Sequence, residues 1–270
     1  MNVMLNLRAV KGRAYPRVIG ALREPSWLFW EIILPMLSIA AFIYFYRSLN
    51  APPEFEGFVV LGGVMTTYWL NVLWSMASQM YWEKETGNLQ LYLAAPMSKM
   101  SILAGMAIGG IFNTSVRAIS IIFIGIYVFD VSFTVSDPLL LALIFSVTLV
   151  AMYGMGMMFA SLYLLWGREA WNMNALLQEP IYFISGQNFP VKALGSTVAT
   201  AASLIPLTLG LDAMRQLVFP EAADWGFLDP KVELVILLIS SVVMLFLARN
   251  LLNFMERKGK ETGKLTMRWQ

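Results

Sequence analysis

"YWEKETGNLQLYLAAPMSKMSI", residues 81–102, lies between two long apolar runs. It sets Glu83, Lys84 and Glu85 ahead of Gly87, spaces Leu89, Leu91 and Leu93 among polar positions, and closes with Pro96. A segment this charged does not cross hydrocarbon, and a proline at 96 stops a helix there. The spacing predicts a short amphipathic helix at a membrane surface, tied down by its leucines and held out of the bilayer by its charges. Glu83 and Glu85 stand at its start, where a helix N-terminus favours anions.

The chain around it has the composition of a polytopic membrane protein. Of 270 residues, 58% are hydrophobic and only 13% are charged, against about 25% charged in a soluble domain. Cysteine and histidine are both absent. Disulfides and thiol chemistry are therefore excluded, and the commonest metal ligand and general base are missing. No catalytic residue and no metal site are expected.

At about 20 apolar residues per crossing, six spans are predicted, near 27–46, 57–82, 101–129, 138–165, 172–186 and 232–251. The fifth is short and polar. Residues 1–26 lack the compact apolar core of a signal peptide. They read as an amphipathic interfacial helix, with Leu5, Val10, Ile19 and Leu22 as its apolar mass. Arg8, Lys11, Arg13, Arg17 and Arg23 would face lipid head groups or a partner.

Orientation follows the basic residues. The segments on the N-terminal side hold those five, Lys84, Lys99, Arg168, Arg249 and the basic residues from Arg257 to Arg268. The other side holds only Arg47, Lys192, Arg215 and Lys231. Both termini, including the tail 252–270, are expected in the cytoplasm and the chain in the plasma or inner membrane. Trp27, Trp30, Trp82, Trp166 and Trp171 fall near span ends, as interfacial aromatics should.

Residues 187–230 are too long for a turn and too apolar for an ordinary external loop. Pro190, Gly195 and Pro206 break the stretch into short pieces. Backbone at membrane depth must be satisfied by protein or a water-filled cavity. A pair of re-entrant outer helices between spans five and six, over 187–215, fits that constraint; an external amphipathic helix that seals the fold is the alternative.

Polar residues inside spans are costly and tend to be functional. Asn113, Arg117 and Ser120 share a helix face. Glu179 sits within the fifth span and Glu31 near the inner end of the first. Arg117 is expected to pair with Glu179, since either charge alone in hydrocarbon is expensive. Gly105-x-x-x-Gly109 and Gly154-x-Gly156 permit close helix packing.

Two stretches carry a resemblance. Glu83, Gly87, Leu89, Pro96 and Ser98 match the pattern of ABC-2 type transporter permeases, in which this loop is the coupling helix that docks on the ATPase. Pro180, Ser185–Gly186, Phe189–Pro190–Val191, Leu194, Pro206–Leu207–Thr208 and Asp212/Arg215 match the same family's outer segment. Gln187–Asn188 depart from it, standing where hydrophobic residues are usual.

The resemblance covers essentially the whole chain as one transmembrane domain, 1–270, and implies an all-α exporter subunit. It assigns coupling to Glu83, Glu85, Gly87, Leu89, Leu91, Pro96 and Ser98 within 83–100. An outer gate would comprise Ser185, Gly186, Phe189, Pro190, Pro206, Asp212 and Arg215, and the intramembrane polar residues would line the pathway. The sequence has no G-x-x-x-x-G-K-[ST] loop. ATP and Mg would therefore sit on a separate ATPase, expected in two copies, and no cofactor on this chain. A second permease copy, identical or related, is also implied, and nucleic acid is not. The substrate would be a drug, lipid, glycolipid or other amphiphile. A secondary transporter or a channel is the rival class; it should show inverted repeats or a charged pore ring, and neither is evident.

Overall fold

The structure, a computed structural model, describes residues 3–166 and 169–263, without the side chains of 25, 27 and 164–171. Arg168, Lys264 and Arg268, and the side chains of Trp27, Trp166 and Trp171, lie outside the described residues. Every regular element among the described residues is helical.

The chain starts with α1 (Val3–Arg23) and α2 (Pro25–Ser48), the latter opened by a proline whose missing N–H is no loss in a first turn. The central element is α3 (Glu54–Leu70), buried from Gly57 to Trp69. It runs on through a π-helical stretch, Asn71–Ala77, into α4 (Gln79–Glu85). A left-handed Gly87 (φ 81°) turns the chain into α5 (Asn88–Ala94). Two long helices follow, α6 (Lys99–Phe129) and α7 (Pro138–Trp166). Asp137 begins α7 by accepting from the amides of Leu139 and Leu140, filling two otherwise unmet donors. After α8 (Glu169–Ile184) come the short α9 (Ser196–Ala202), α10 (Pro206–Val218) and the long α11 (Pro230–Glu261).

Five helical stretches are long and apolar enough to cross a membrane: Leu28–Ser48, Glu54–Glu85, Lys99–Phe129, Pro138–Tyr163 and Pro230–Glu261. They coincide with five of the six expected spans. The expected fifth span, 172–186, is α8, whose 16 residues rise about 24 Å against a hydrocarbon core of about 30 Å. Further on, α9 and α10 are apolar enough only as a pair, and they are bent 112° from each other.

One apolar core runs through the bundle, from Ile39 and Ile43 of α2 through α3, α6, α7 and α10 to Leu252 of α11. The small residues are spent inside the chain. Gly154 admits Met244 and Leu245 of α11 against α7, and Gly156 admits Val72 and Met76 of the π stretch. Gly105 and Gly109 open a groove on α6 that α1 fills; a Cβ on Gly105 would lie 2.6 Å from the carbonyl oxygen of Val10 and 2.8 Å from Cβ of Arg13.

That docking corrects the expectation for α1. Arg8, Lys11 and Arg23 are exposed, but Arg13 and Arg17 turn onto the protein. Arg13 pairs with Glu83, and Arg17 donates to the hydroxyl and carbonyl of Ser75. With α6 occupying one side, α1 has less of its circumference left for lipid than a free interfacial helix.

Replacing Gly105 with leucine should therefore pry α1 from α6. Overpacking of this kind costs about 1–3 kcal/mol, so the thermal midpoint in detergent should fall and limited proteolysis should release α1. Gly12→Leu, where a Cβ meets nothing within 4 Å, should leave both readouts at wild type.

Candidate functional site

Three places gather the polar residues of this apolar chain. The first is at the end that carries α1. Glu83 and Glu85 do not begin the short helix, as expected; they close α4, the continuation of the central span. The N-terminal-dipole argument therefore does not apply to them, and α5 begins only at Asn88. Glu83 is buried and taken by Arg13, with Gln79 donating to the same carboxylate at 2.8 Å. Arg13 also reaches the Tyr92 hydroxyl at 3.0 Å, which ties α1 to α5 as well as to α4. Burial pushes the Tyr92 phenol above its ordinary pKa.

The leucines of α5 divide. Leu89 is buried and Leu93 half-buried, packed with Met80, Ile102 and Leu252. Leu91 is 69% exposed and, among the described residues, stands outside the apolar core. Pro96 is exposed, and the amide of Ser98 donates to the Asn6 side chain at 2.9 Å. Lys99, opening α6, reaches Glu256 of α11 at 2.6 Å. The end with α1 is thus a cluster of α1, α4, α5 and the ends of α6 and α11.

The second place is a cavity of about 610 Å³ between α1, α2, the α3–π rod and α6. Arg117 lines it and pairs with Glu31 at 2.8 Å. The expected partner, Glu179, is instead exposed on α8 and accepts from its neighbour Gln178. Tertiary packing decides this: α2 lies against α6 and brings Glu31 to Arg117. Asn113 donates to the backbone carbonyl of Arg17 at 3.0 Å and so locks α1 to α6. Ser120 does not join them; its hydroxyl returns to the carbonyl of Val116 on its own helix. Burial, and secondarily the charge of Arg13, lowers the pKa of Arg17. Sequence reasoning gave Arg17 to lipid or a partner and passed over Asn71, Trp74 and Ser75 on this wall; the signal available for Asn71 and Ser75 was polar residues inside an apolar span.

The third place is at the opposite end. Arg215 of α10 is 2% exposed. It donates to the carbonyls of Gly186 (2.6 Å), Gln187 (2.6 Å), Phe189 (3.0 Å) and Phe58 (2.8 Å). Its guanidinium also lies over the Phe58 ring, 4.9 Å from the centroid. Gly186 adopts φ 68°, and Gly62 admits the Gln187 carbonyl, which a Cβ would meet at 1.8 Å.

Asp212, one turn before Arg215, accepts from the Phe227 amide at 2.8 Å and from Gln216 at 2.9 Å, fixing the approach to α11. Ser185 and Pro190 are buried, Phe189 meets Phe183 edge-on, and Pro206 starts α10. Of the seven residues named from sequence, Gly186 and Phe189 meet Arg215 directly, Ser185 and Pro190 flank them, Asp212 lies one turn away, and Pro206 stands at the far end of α10. Glu233, fully buried in the first turn of α11, was not anticipated.

The family model for ABC-2 type transporters matches residues 17–219. The matched region takes in residues 83–100, nearly all of the polar cavity's lining, and the cluster around Arg215. The chain belongs to the ABC-2 type transporter family and is a transport component of the membrane. No curated protein matches it.

Two outcomes follow. Arg117→Glu sets two carboxylates against each other in a half-buried pair and should lower the thermal midpoint; adding Glu31→Arg should recover most of the loss, and Glu179→Arg none of it. Arg215→Lys keeps the charge but not the planar fork. It should lower the midpoint strongly and raise hydrogen exchange at residues 186–190.

Proposed function

We propose that this chain is the permease subunit of an ATP-driven exporter, moving an amphiphilic or lipid-like substrate out of the cytoplasm or inner leaflet. ATP and Mg bind a separate ATPase, present in two copies. Two permeases, identical or related, enclose the route. Both termini are cytoplasmic, so α5 faces the ATPase. In this reading α8 completes a sixth crossing and the bent α9–α10 pair is re-entrant, gating release.

The observation that carries the proposal is α5 itself, in a chain of this family. It is a surface helix one turn from the central span, with one leucine buried and the next exposed. Leu91, turned outward at the end of the central span, is placed to be buried by a docked partner. Glu83 and Glu85 then act indirectly. Glu83 joins α4 to α1 through Arg13, so that a push on α5 reaches the bundle. The family supports transport by an ATPase-linked permease, and the cavity between α1, α2 and α6, walled by Leu28, Leu34 and Leu70 as well as by Arg17 and Arg117, supports the substrate class.

The test is co-expression with an ABC ATPase sought in an adjacent reading frame, and capture of the complex through a tag on the permease. Leu91→Glu should leave the thermal midpoint within a degree or two of wild type, because the side chain is exposed. It should reduce ATPase capture by about tenfold, the scale of one modest hot spot. Undiminished capture together with normal export by that variant would reject α5 as the docking element. Stimulation of ATP hydrolysis by amphiphiles in the reconstituted complex checks the substrate class.

A further inference from the structure

Glu233, in the first turn of α11, is a carboxyl group that the fold shuts away without a cation. It is 0% exposed, and neither of its carboxylate oxygens receives a hydrogen bond among the described residues. Its carboxyl group meets that of Asp212, within hydrogen-bonding reach. The two sit where α10 packs on α11, at the end of the bundle opposite α1.

The groups around the pair decide which member is ionised. Asp212 accepts from the Phe227 amide at 2.8 Å and from the Gln216 side chain at 2.9 Å. Arg215, one turn on, acts on its charge. Donors and a cation keep a carboxylate ionised, and Glu233 has neither. Asp229, just before α11, adds a further negative charge beside it. Lys231 is exposed and gives it no hydrogen bond. The helix α7, packed on α11, carries no charged residue between 138 and 166. Two carboxyl groups in contact cannot both ionise when one has no countercharge and no water; the unpaired one takes a proton.

We infer that the α10–α11 junction is a proton-binding site, in which Glu233 stays a neutral carboxylic acid at neutral pH and donates a hydrogen bond to the Asp212 carboxylate. No third acidic side chain joins the two to make a metal-binding group among the described residues. The proton keeps α11 seated on the helix that carries Arg215 and, through it, residues 186, 187 and 189. Losing it would set a second negative charge against Asp212 and part the two helices. An unfolded glutamate releases its proton near the ordinary value, about 4.3, whereas the folded chain keeps it. The folded state thus binds more protons, and this contribution to stability falls as pH rises above that value.

Infrared spectroscopy of the full-length protein in an ester-free detergent reads the proton directly. At about pH 8, where exposed carboxyl groups are ionised, wild type should keep the C=O band of a protonated carboxylic acid. Glu233→Gln should lose that band, and Glu221→Gln, an exposed control, should retain it. Glu233→Gln keeps the shape and an N–H donor for Asp212, so it should fold and escape the linkage. From about pH 5.5 to about pH 8 its folding equilibrium should gain on wild type by about tenfold per pH unit, read from the thermal midpoints. An unchanged band in Glu233→Gln, or a difference in midpoint that does not move with pH, would overturn the assignment. So would a midpoint raised by sodium or calcium with no acid band, which would give the site to a cation. Should Glu233→Gln fail to fold, a wild-type spectrum without the acid band would overturn it alone.

Discussion

A guanidinium shut away from water must find all its acceptors within the protein, and Arg215 finds four. Three lie on the consecutive stretch after α8 and the fourth on α3. That one side chain decides the shape of the outer segment. Residues 186–189 have no ladder or helix of their own to satisfy these carbonyls, and the arginine stands in for one. Once the stretch is drawn to Arg215, Gly62 must lack a side chain and Gly186 must turn left-handed. Asp212 then holds the far side of α10 to the approach of α11. The stretch after α8, α10 and the approach to α11 are thereby fastened to one another through α10.

The opposite end obeys the same rule with different means. There Arg13 and Glu83 join α1 to α4, Tyr92 adds α5, and Lys99 with Glu256 adds α11. Each link lets a charge or hydroxyl serve two helices, so the end behaves as one body although five helices contribute to it. Its outward side keeps an apolar residue, Leu91, exposed.

Much of this was legible in the sequence, and the failures share a cause. Span positions follow from hydropathy, which is local, and five agreed closely. The outer cluster was legible because its prolines, glycines, Asp212 and Arg215 sit in a recognisable order. Partner choice was not. Arg117 had two carboxylates to choose from in sequence, and only the packing of α2 on α6 selects Glu31. The glycines of α6 announced a groove without naming its occupant; read together with the basic face of α1, they would have placed Arg13 and Arg17 against the protein. Glu83 was misplaced because a helix boundary was drawn at the first charge, whereas the central span continues past it.

The π stretch Asn71–Ala77 has a geometric effect that reaches beyond its own turn. A π segment carries one residue more than the α-helix it interrupts, and each residue of an α-helix subtends about 100°. Everything after Ala77 is accordingly out of phase with the helix before Leu70 by about a quarter-turn. Glu83 lies on that shifted part. Were the rod α-helical throughout, the same carboxylate would leave the azimuth at which it now meets Arg13. The junction of α1 with α4 therefore depends on a register offset built into the middle of the bundle, and regularising the π turn would unlatch α1 without altering a single residue of the latch.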